Sequence, residues 1–582
     1  MKSKLPRKTA SAAPAAKTQP SSQPSYWWAY LLGMFLAAFA AFQVYGSTLR
    51  APFLFDDLYL PFTIPDFADE GFRTWVRGMR PLLMATYWLN FQTSGQNPYA
   101  YHVWNVLFHV AAAAMAWLIV RNLLGRAGEA GWKRETLAAF AGAVFLLHPL
   151  QTESVAYVAS RSESLSVLLA YAALAAFLLH EGGEIGWGRT FLILGLFGAA
   201  ALSKEHTAVM PAAILLADMF WMRRSVFQSF TRQWRLFGLL AIGGLFGLSF
   251  VWKVLVSSAS AGFHLKEITW YQYFWTQCRA IWVYIRMFFL PYGQNIDHDF
   301  AVSRSPFEHG AWIGFLALVA LAALAWIWRE RLPLASFGVF LFLLLIAPTS
   351  SVVPLLDTLV ERRVYLPMVG LLLVVCEAVR RAPLSRWQLT GVLSAVAIVL
   401  AVLTMNRNQV WTDPITLWTD SVTKAPRKVR PRHQLAFAYF EAGQCERAAA
   451  EYEKAAKLAP PDKHLLINWA LAWDCAQRYD AALDRLKQAL ALERSAHVHS
   501  LLGMIQAKRG RYPEAWAEIE AALRLDSNFA MAYVYRGNLR VIGGDIQAAI
   551  ADYRKALELE PGLEAAQQAL AQAEQRLAAP AR

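Results

Sequence analysis

Residues 53–59 read FLFDDLY and follow an apolar run, Tyr26 to Tyr45, that is long enough to cross a lipid bilayer. Asp56 and Asp57 therefore lie a few residues beyond the end of a predicted membrane span. Carboxylates close to hydrocarbon are costly, so an acidic pair in this position is a candidate functional site. Asp is also common in turns and at helix N-termini, and position alone does not separate these two interpretations.

The composition divides the 582-residue chain into a membrane part and a polar part. Hydrophobic residues make up 56% of the chain and charged residues only 17%, which is too apolar for an ordinary soluble protein. The pattern predicts an all-α protein with four parts. They are a disordered cytoplasmic tail (1–25), a polytopic membrane domain (26–411), a half-repeat linker (412–428) and a repeat domain with a capping helix (429–582).

The net charge of +14 is spread in short basic clusters between the apolar runs, which indicates membrane orientation rather than nucleic-acid binding. The alternation of these clusters predicts about 11 spans, with the N-terminus in the cytoplasm and the C-terminus outside. The predicted spans are 26–46, 101–120, 136–148, 163–180, 189–203, 207–222, 235–256, 311–328, 333–348, 364–379 and 388–405.

One segment, Tyr273 to Pro291, fits this alternation poorly because it is apolar but carries Arg279 and Arg286. A single extra span here would break the charge rule for every later span. We therefore interpret the segment as an interfacial amphipathic helix within an external loop, 257–310. A true crossing with an unrecognised partner helix is the alternative.

The predicted topology collects polar groups on the external side of the membrane. Transporters instead place their sites near the midplane, in repeated halves, and the sequence shows no such symmetry. The external groups are Asp56, Asp57, His148, Glu153, Arg161, Lys204, Glu205, His206, Arg362 and Arg363.

The polar C-terminal part contains an internal repeat. Small residues recur at Ala436, Ala470, Gly503 and Gly537, with spacings of 34, 33 and 34 residues. This is the tetratricopeptide period, in which small residues let paired helices pack closely. The period predicts four helix pairs followed by a capping helix at 563–577. Such α-solenoids bind peptides or proteins in a concave groove.

Two of the four cysteines, Cys445 and Cys475, lie in adjacent repeats on the predicted external side. They could form a disulfide there. We favour free buried thiols, because the spacing does not establish the geometry that a disulfide needs.

Several ordered motifs of the membrane part resemble a known family. Together with the tetratricopeptide tail, they are similar to those of the transmembrane-and-tetratricopeptide-repeat O-mannosyltransferases and their bacterial relatives, members of the GT-C glycosyltransferase superfamily. The resemblance covers nearly the whole chain, although the tail has fewer repeats than the animal members. The motifs are Phe55-Asp56-Asp57, Arg80-Pro81-Leu82, Asn97 to His109, His148 to Glu153, Ser203-Lys204-Glu205 and Glu361 to Pro367.

The resemblance implies transfer of a mannose-like hexose from a polyprenyl-phosphate donor to a hydroxyl of a protein acceptor on the external face. The repeats would dock the acceptor. A carboxylate can take the hydroxyl proton as the oxygen attacks the anomeric carbon. We favour Asp56 as this base and Asp57 as an orienting group or substrate contact. One base without a covalent intermediate predicts inversion of the anomeric centre.

The leaving lipid phosphate needs cations near the membrane surface. The external candidates are Lys204, Arg362, Arg363, Arg161, Arg279 and Arg286, each of which could instead be an ordinary residue at the lipid headgroups. We expect His148, Glu153, Glu205 and His206 to support the site. These four could bind a divalent metal with Asp56, but their spacing does not require one, and we predict no metal cofactor.

Two alternatives remain open at this point. The acceptor could be a lipid-linked or surface glycan, or the chain could be a non-catalytic membrane scaffold that recruits partners through its repeats. Short loops, high Ala content and a compact tail favour a bacterial inner-membrane protein with its repeats in the periplasm. In a eukaryote the same topology would place the repeats in the lumen of the endoplasmic reticulum.

Overall fold

The computed structural model describes residues 27–68, 70–180, 182–257 and 261–578. Within these ranges the chain folds into α-helices and short 3₁₀ helices, and the described residues form no β-strand beyond one isolated bridge between Ala261 and Leu355. The all-α prediction is confirmed. The predicted cytoplasmic tail, 1–25, lies outside the described residues.

The membrane domain contains seventeen helices within the described ranges. They are α1 (Trp27–Val44), α2 (Pro65–Ala68), α3 (Phe72–Trp75), α4 (Pro81–Ser94), α5 (Pro98–Arg126), α6 (Gly131–Leu147), α7 (Thr152–Ala156), α8 (Arg161–Leu178), α9 (Trp187–Ala201), α10 (Met210–Trp221), α11 (Val226–Arg232), α12 (Trp234–Ser257), α13 (Trp270–Phe289), α14 (Ala311–Ile327), α15 (Pro333–Ile346), α16 (Met368–Arg380) and α17 (Arg386–Gln409).

The core of this domain is built on α5 and α8, whose apolar side chains are buried against α6, α10 and α16. By contrast, α1, α14 and α17 expose large apolar side chains, such as Phe35 (66% exposed), Ile327 (67%) and Ile398 (65%). Exposed apolar faces of this size suit lipid rather than water.

Five described helical segments are long and apolar enough to cross a membrane: Trp27–Val44, Pro98–Arg126, Val158–Leu178, Glu308–Ile327 and Arg386–Gln409. Three shorter segments, Trp187–Ala201, Trp234–Leu245 and Pro333–Ile346, are apolar as well. Each of the eleven predicted spans contains a helix, but the number of crossings stays a prediction.

The close contact between α15 and α16 depends on two glycines. A Cβ atom at Gly338 would lie 2.4 Å from the carbonyl oxygen of Gly370, and a Cβ at Gly370 would lie 2.5 Å from that of Gly338. No side chain fits there, so the two backbones touch. Small residues at helix contacts are typical of membrane proteins, where close van der Waals packing drives association.

The segment that fitted the charge alternation poorly forms α13, and its hydrogen bonds run along one end of the bundle. The Tyr273 hydroxyl donates to the carbonyl of Thr349 at 2.5 Å, just after α15. The Tyr284 hydroxyl accepts from the amide of Val360 at 3.1 Å, and His148 contacts the carbonyl of Phe288 at 2.9 Å. Both ends of α13 therefore lie at the same end of the bundle, as the interfacial interpretation requires.

The C-terminal part is a helical repeat array. The half-repeat helix α18 (Pro414–Lys424) precedes four helix pairs and a final helix, and the small residues that define the repeat period are all buried. The pairs are α19 (Val429–Glu441) with α20 (Cys445–Leu458), α21 (Lys463–Cys475) with α22 (Tyr479–Leu492), α23 (Ala496–Lys508) with α24 (Tyr512–Leu525), and α25 (Ala530–Ile542) with α26 (Ile546–Leu559); α27 (Glu564–Ala578) follows.

The repeat array is attached to the membrane domain through ion pairs. Asp297, in the segment after α13, pairs with Lys428 and with Arg430, whose Nη2 lies 2.7 Å from Oδ1. The same Arg430 guanidinium reaches Asp357 between α15 and α16, at 2.8 Å. Asp297 is only 3% exposed, whereas Arg430 and Asp357 are 39% and 36% exposed, and together these contacts join the first repeat to the membrane domain.

The structure corrects the prediction for two cysteines. Cys445 begins α20 and Cys475 ends α21, and the two form a disulfide with their Cα atoms 5.7 Å apart. Packing of adjacent repeats brings these ends together, which the spacing in sequence alone does not reveal. Cys278 and Cys376 are free and buried.

We expect the full chain, purified without reductant, to show no maleimide labelling under native conditions, because its remaining thiols are buried. Cys445→Ser should free Cys475 for labelling and lower the free energy of unfolding of the repeats by about 2–4 kcal/mol, the usual effect of losing a native disulfide. Mass spectrometry and thermal unfolding measure the two effects. Labelling of Cys475 in the unmodified chain would contradict the pairing.

Candidate active site

A cavity of about 600 Å³ opens at the end of the bundle where α13 lies. Its walls come from the segment after α1, the start of α4, the segment between α7 and α8, and the connections that precede α10 and α16. Six of the residues predicted for the site line this one cavity: Asp56, Lys204, Glu205, His206, Arg362 and Arg363. Segments far apart in sequence thus place their polar residues around one space.

The two adjacent aspartates face opposite ways on a short 3₁₀ helix, Phe55–Tyr59. Asp57 is buried (1% exposed), and its carboxylate accepts the amide hydrogens of Leu54 at 3.0 Å and Ala159 at 2.6 Å. Burial raises the pKa of Asp57 to about 7, although these backbone hydrogen bonds oppose the shift. Asp56 is exposed and lines the cavity.

Tyr157 fixes the backbone next to the exposed carboxylate. Its hydroxyl accepts the amide hydrogen of Asp56 at 2.8 Å, and its ring is almost fully buried against Trp411. Burial, followed by the charges of Asp57 and Asp56, raises the pKa of Tyr157 well above its usual value, so the phenol stays protonated. The backbone of Asp56 is therefore held by a neutral group, and Asp56 lines the cavity.

Most cations of the cavity are paired with carboxylates. Arg80 binds Glu205 through two hydrogen bonds of 2.9 Å, and Lys204 pairs with Glu163. Burial would raise the pKa of Glu205, but the bonds and charge of Arg80 outweigh it and lower that pKa. Burial lowers the pKa of Lys204. These pairs leave little net charge on this wall.

Arg362 and Arg363 differ in their partners. Arg362 forms an ion pair with Glu153, whose other oxygen accepts the Arg362 amide hydrogen at 3.0 Å. Arg363 forms no ion pair with any described residue, and its guanidinium donates to the Tyr273 hydroxyl at 3.1 Å and to backbone carbonyls. Arg363 is therefore the cavity cation whose charge is not neutralised by a carboxylate.

His206 presents a neutral imidazole to the cavity. Its side chain is 9% exposed, burial lowers its pKa to about 4, and neither ring nitrogen has a hydrogen-bond partner in the described part of the chain. The nearest charged group is Glu163, with Oε2 3.3 Å from Nε2. Both ring nitrogens are shielded from solvent, so the imidazole forms part of the cavity wall without offering a nitrogen to the cavity.

Three arginines predicted to bind the donor lie away from the cavity lining. Arg161 is fully buried, stacks 4.5 Å from the Tyr87 ring and donates to Asn105 and Asn90, which connects α8 with α5 and α4. Arg279 donates to Ser303, and Arg286 lies over the ring of Tyr292. The sequence predicts a membrane side for these residues but does not reveal which way their side chains point.

Two supporting residues also lie behind the cavity wall. His148 is buried, contacts the carbonyl of Phe288 and accepts the amide hydrogen of Leu150 at 3.2 Å. Glu153 is buried beneath Arg362. Both therefore support the wall without lining the cavity.

The cavity lining also includes residues that the sequence did not single out as site residues, among them Arg80, Tyr157, Glu163 and Asp357. Arg80 belongs to one of the motifs quoted above, Arg80-Pro81-Leu82, and that motif was its only signal. No motif or spacing in the sequence pointed to Tyr157. Within the described ranges, no three His, Cys, Asp or Glu side chains are grouped so that they could hold a metal ion.

Comparison with known proteins identifies relatives along the chain. A family model of the tetratricopeptide repeat matches residues 429–462 and 532–562. Protein O-mannosyl-transferase Tmtc3 of Drosophila melanogaster is 23% identical over 80% of this chain, and TMTC3 of Mus musculus is 23% identical over 83%. The chain is similar to the protein O-mannosyl-transferases over most of its length. The resemblance predicted from the motifs is confirmed.

The similarity is highest in a shorter region and does not extend over the whole of the relatives. Protein O-mannosyl-transferase Tmtc1 of Drosophila melanogaster is 32% identical over 32% of this chain. The chain spans between 22 and 59% of the length of these three relatives. Among solved structures, the crystal structure of MamA is 23% identical, with a TM-score of 0.23 over 25% of this chain and 86% of MamA.

We expect the two aspartates to differ in their effect on stability. Asp57→Asn places an amide NH₂ against one of the two backbone N–H groups that the carboxylate accepts, and the unsatisfied group should cost about 1–3 kcal/mol. Asp56→Asn should leave stability unchanged, because Asp56 is exposed. Thermal unfolding in detergent compares the two variants, and equal losses would contradict this assignment.

Proposed function

We propose that the chain is a membrane glycosyltransferase that moves a mannose-like hexose from a polyprenyl phosphate to a hydroxyl of a protein acceptor. One observation carries the proposal: the cavity places the exposed carboxylate of Asp56 in the same space as the unneutralised cation of Arg363. A base and a cation facing one space suit transfer of a sugar from a phosphate to a hydroxyl. The similarity to the protein O-mannosyl-transferases supports the choice of sugar and acceptor.

The transfer step assigns one role to each side of the cavity. The acceptor hydroxyl gives its proton to the Asp56 carboxylate while its oxygen forms a bond to the anomeric carbon. The bond from that carbon to the phosphate oxygen breaks, and the electron pair leaves with the lipid phosphate. A single displacement inverts the anomeric centre. Asp57 does not contact the reactants and keeps Asp56 in place through its own hydrogen bonds.

Arg363 is the first candidate for the lipid phosphate, because no carboxylate competes for its guanidinium. Arg362 and Lys204 line the same cavity, but they already pair with Glu153 and Glu163 respectively. The side chain of Arg362 is 28% exposed. Arg362 and Lys204 would strengthen the positive potential without providing a free charge. Hydrogen bonds between guanidinium and phosphate are short and strong, and they stabilise the charge that develops on the leaving group.

Other lining residues suit the remaining parts of the substrates. Leu255, Val353 and Leu355 form an apolar wall that fits a prenyl chain. The repeat array would hold the acceptor polypeptide, since such arrays bind extended segments in their groove.

The disulfide between Cys445 and Cys475 supports an external location for the repeats. Disulfides persist in oxidising compartments such as the periplasm or the lumen of the endoplasmic reticulum and are rare in the cytosol. We therefore place the cavity and the repeats on the external face, in the periplasm if the protein belongs to a bacterial inner membrane.

We expect Asp56→Asn to lower kcat for sugar transfer by roughly 100- to 10,000-fold, the usual contribution of a general base, with the donor still bound. Transfer of labelled sugar to membrane proteins measures the effect. Because Asp56 is exposed, we expect the variant to fold normally, and thermal unfolding provides this control. Full transfer activity in the variant would reject Asp56 as the base.

We expect Arg363→Ala to raise the KM for the polyprenyl-phosphate donor by roughly 10- to 100-fold, because a charge-assisted hydrogen bond contributes about 1.5–3 kcal/mol. Arg279→Ala is the matched control, since that arginine bonds only to the segment 300–303 and should leave the donor KM unchanged. Equal effects of the two substitutions would argue against a phosphate site at Arg363.

A further inference from the structure

The opposite orientations of Asp56 and Asp57 depend on the backbone just before them. Phe55 has φ of +49°, in the left-handed region that is uncommon for a bulky aromatic residue. Such a conformation persists only where the surroundings hold it, at a cost of order 1–3 kcal/mol. The chain turns here so that the next carboxylate faces the cavity and the one after it faces the core.

The group that holds Phe55 comes from the repeat side of the chain. The Phe55 ring meets the indole of Trp418 edge to face, with ring centroids 5.3 Å apart and planes at 78°. Trp418 is 3% exposed on α18, the half-repeat helix. Edge-to-face pairs of this kind are stabilised beyond their buried area. The neighbouring Leu54 packs in the same region against Leu417 and Trp411.

Polar contacts hold α18 against the membrane domain. Lys424 donates to the carbonyl of Gln294 at 2.7 Å, and Asp420 pairs with Arg407 of α17, also at 2.7 Å. The ion pairs of Arg430 described above follow within one helical turn of the next helix. The indole of Trp418 therefore has a defined position relative to the cavity.

We propose that Trp418 is a positioning residue for Asp56. The packing of the half-repeat helix α18 against the membrane domain would then set the direction of the catalytic carboxylate. The inference rests on the role proposed above for Asp56. Trp418 touches neither substrate, and it acts through Phe55. The repeat module is thus a part of the catalytic apparatus as well as a holder of the acceptor.

Trp418→Ala should lower kcat roughly 10- to 100-fold, because small misplacements of a catalytic group are costly. The KM for the donor should stay unchanged, since the indole of Trp418 contacts Phe55, whereas the Arg363 guanidinium is held by Tyr273 and by backbone carbonyls. Trp418→Phe keeps an aromatic edge against Phe55 and should restore most of the rate. A rise in donor KM without a fall in kcat would overturn the inference.

A double-mutant cycle tests whether the two rings act through one contact. Phe55→Ala and Trp418→Ala should each lower kcat, and the double variant should be no slower than the slower single variant. Losses that multiply in the double variant would mean that the two residues act independently, which overturns the inference.

Hydrogen exchange tests the same contact without any transfer assay. In the full chain in detergent, Trp418→Ala should speed exchange of the amides of 54–60 by about tenfold or more, because the strained turn loses its support. Trp516→Ala, which changes a partly buried indole in the third helix pair after α18, should leave that segment unchanged. Unchanged exchange in Trp418→Ala would overturn the positioning role.

The two proposals fail in different ways. Full activity of Asp56→Asn would reject Asp56 as the catalytic base. The hydrogen-exchange result would still report whether Trp418 supports the turn at Phe55. Loss of activity in Asp56→Asn together with wild-type kcat and exchange in Trp418→Ala would keep the base and reject the positioning role.

Discussion

Two hydrogen bonds to the Asp57 carboxylate, from the amides of Leu54 and Ala159, organise the cavity end of the molecule. The bond from Leu54 closes the turn after α1, and the bond from Ala159 joins that turn to the segment between α7 and α8, about a hundred residues away in sequence. A buried carboxylate is tolerated only with such partners, because leaving it unsatisfied would cost several kcal/mol. Asp57 stabilises the turn, and this leaves Asp56 available for chemistry.

The charges around the cavity follow from the same need to satisfy buried groups. Arg80, Lys204 and Arg362 each have a carboxylate partner, so their burial is tolerable, and they shape the wall as fixed dipoles. Arg363 is balanced only by neutral acceptors. Among the described lining residues, this is the cation without a carboxylate partner, which would suit the phosphate of the proposed donor.

The sequence predicted much of this arrangement and missed the rest for identifiable reasons. Hydropathy and the 34-residue period predicted the helical membrane part and the repeats, because both depend on local patterns. Charge alternation brought Asp56, Lys204 and Arg363 to one side of the membrane. It could not separate them from Arg161 and Arg279, since burial and side-chain direction depend on tertiary packing. The disulfide and the contact between Phe55 and Trp418 depend on how distant helices meet, and no local pattern reports that.

The ion pairs of Arg430 with Asp297 and Asp357 have a consequence for substrate selection. Because they tether the first repeat to the cavity rim, the groove and the base lie at a set separation. An extended polypeptide advances roughly 3.3 Å per residue. Under the proposed function, a solenoid held in this position would work as a molecular ruler, and the hydroxyls that receive sugar would lie at a fixed number of residues from the segment that the groove holds.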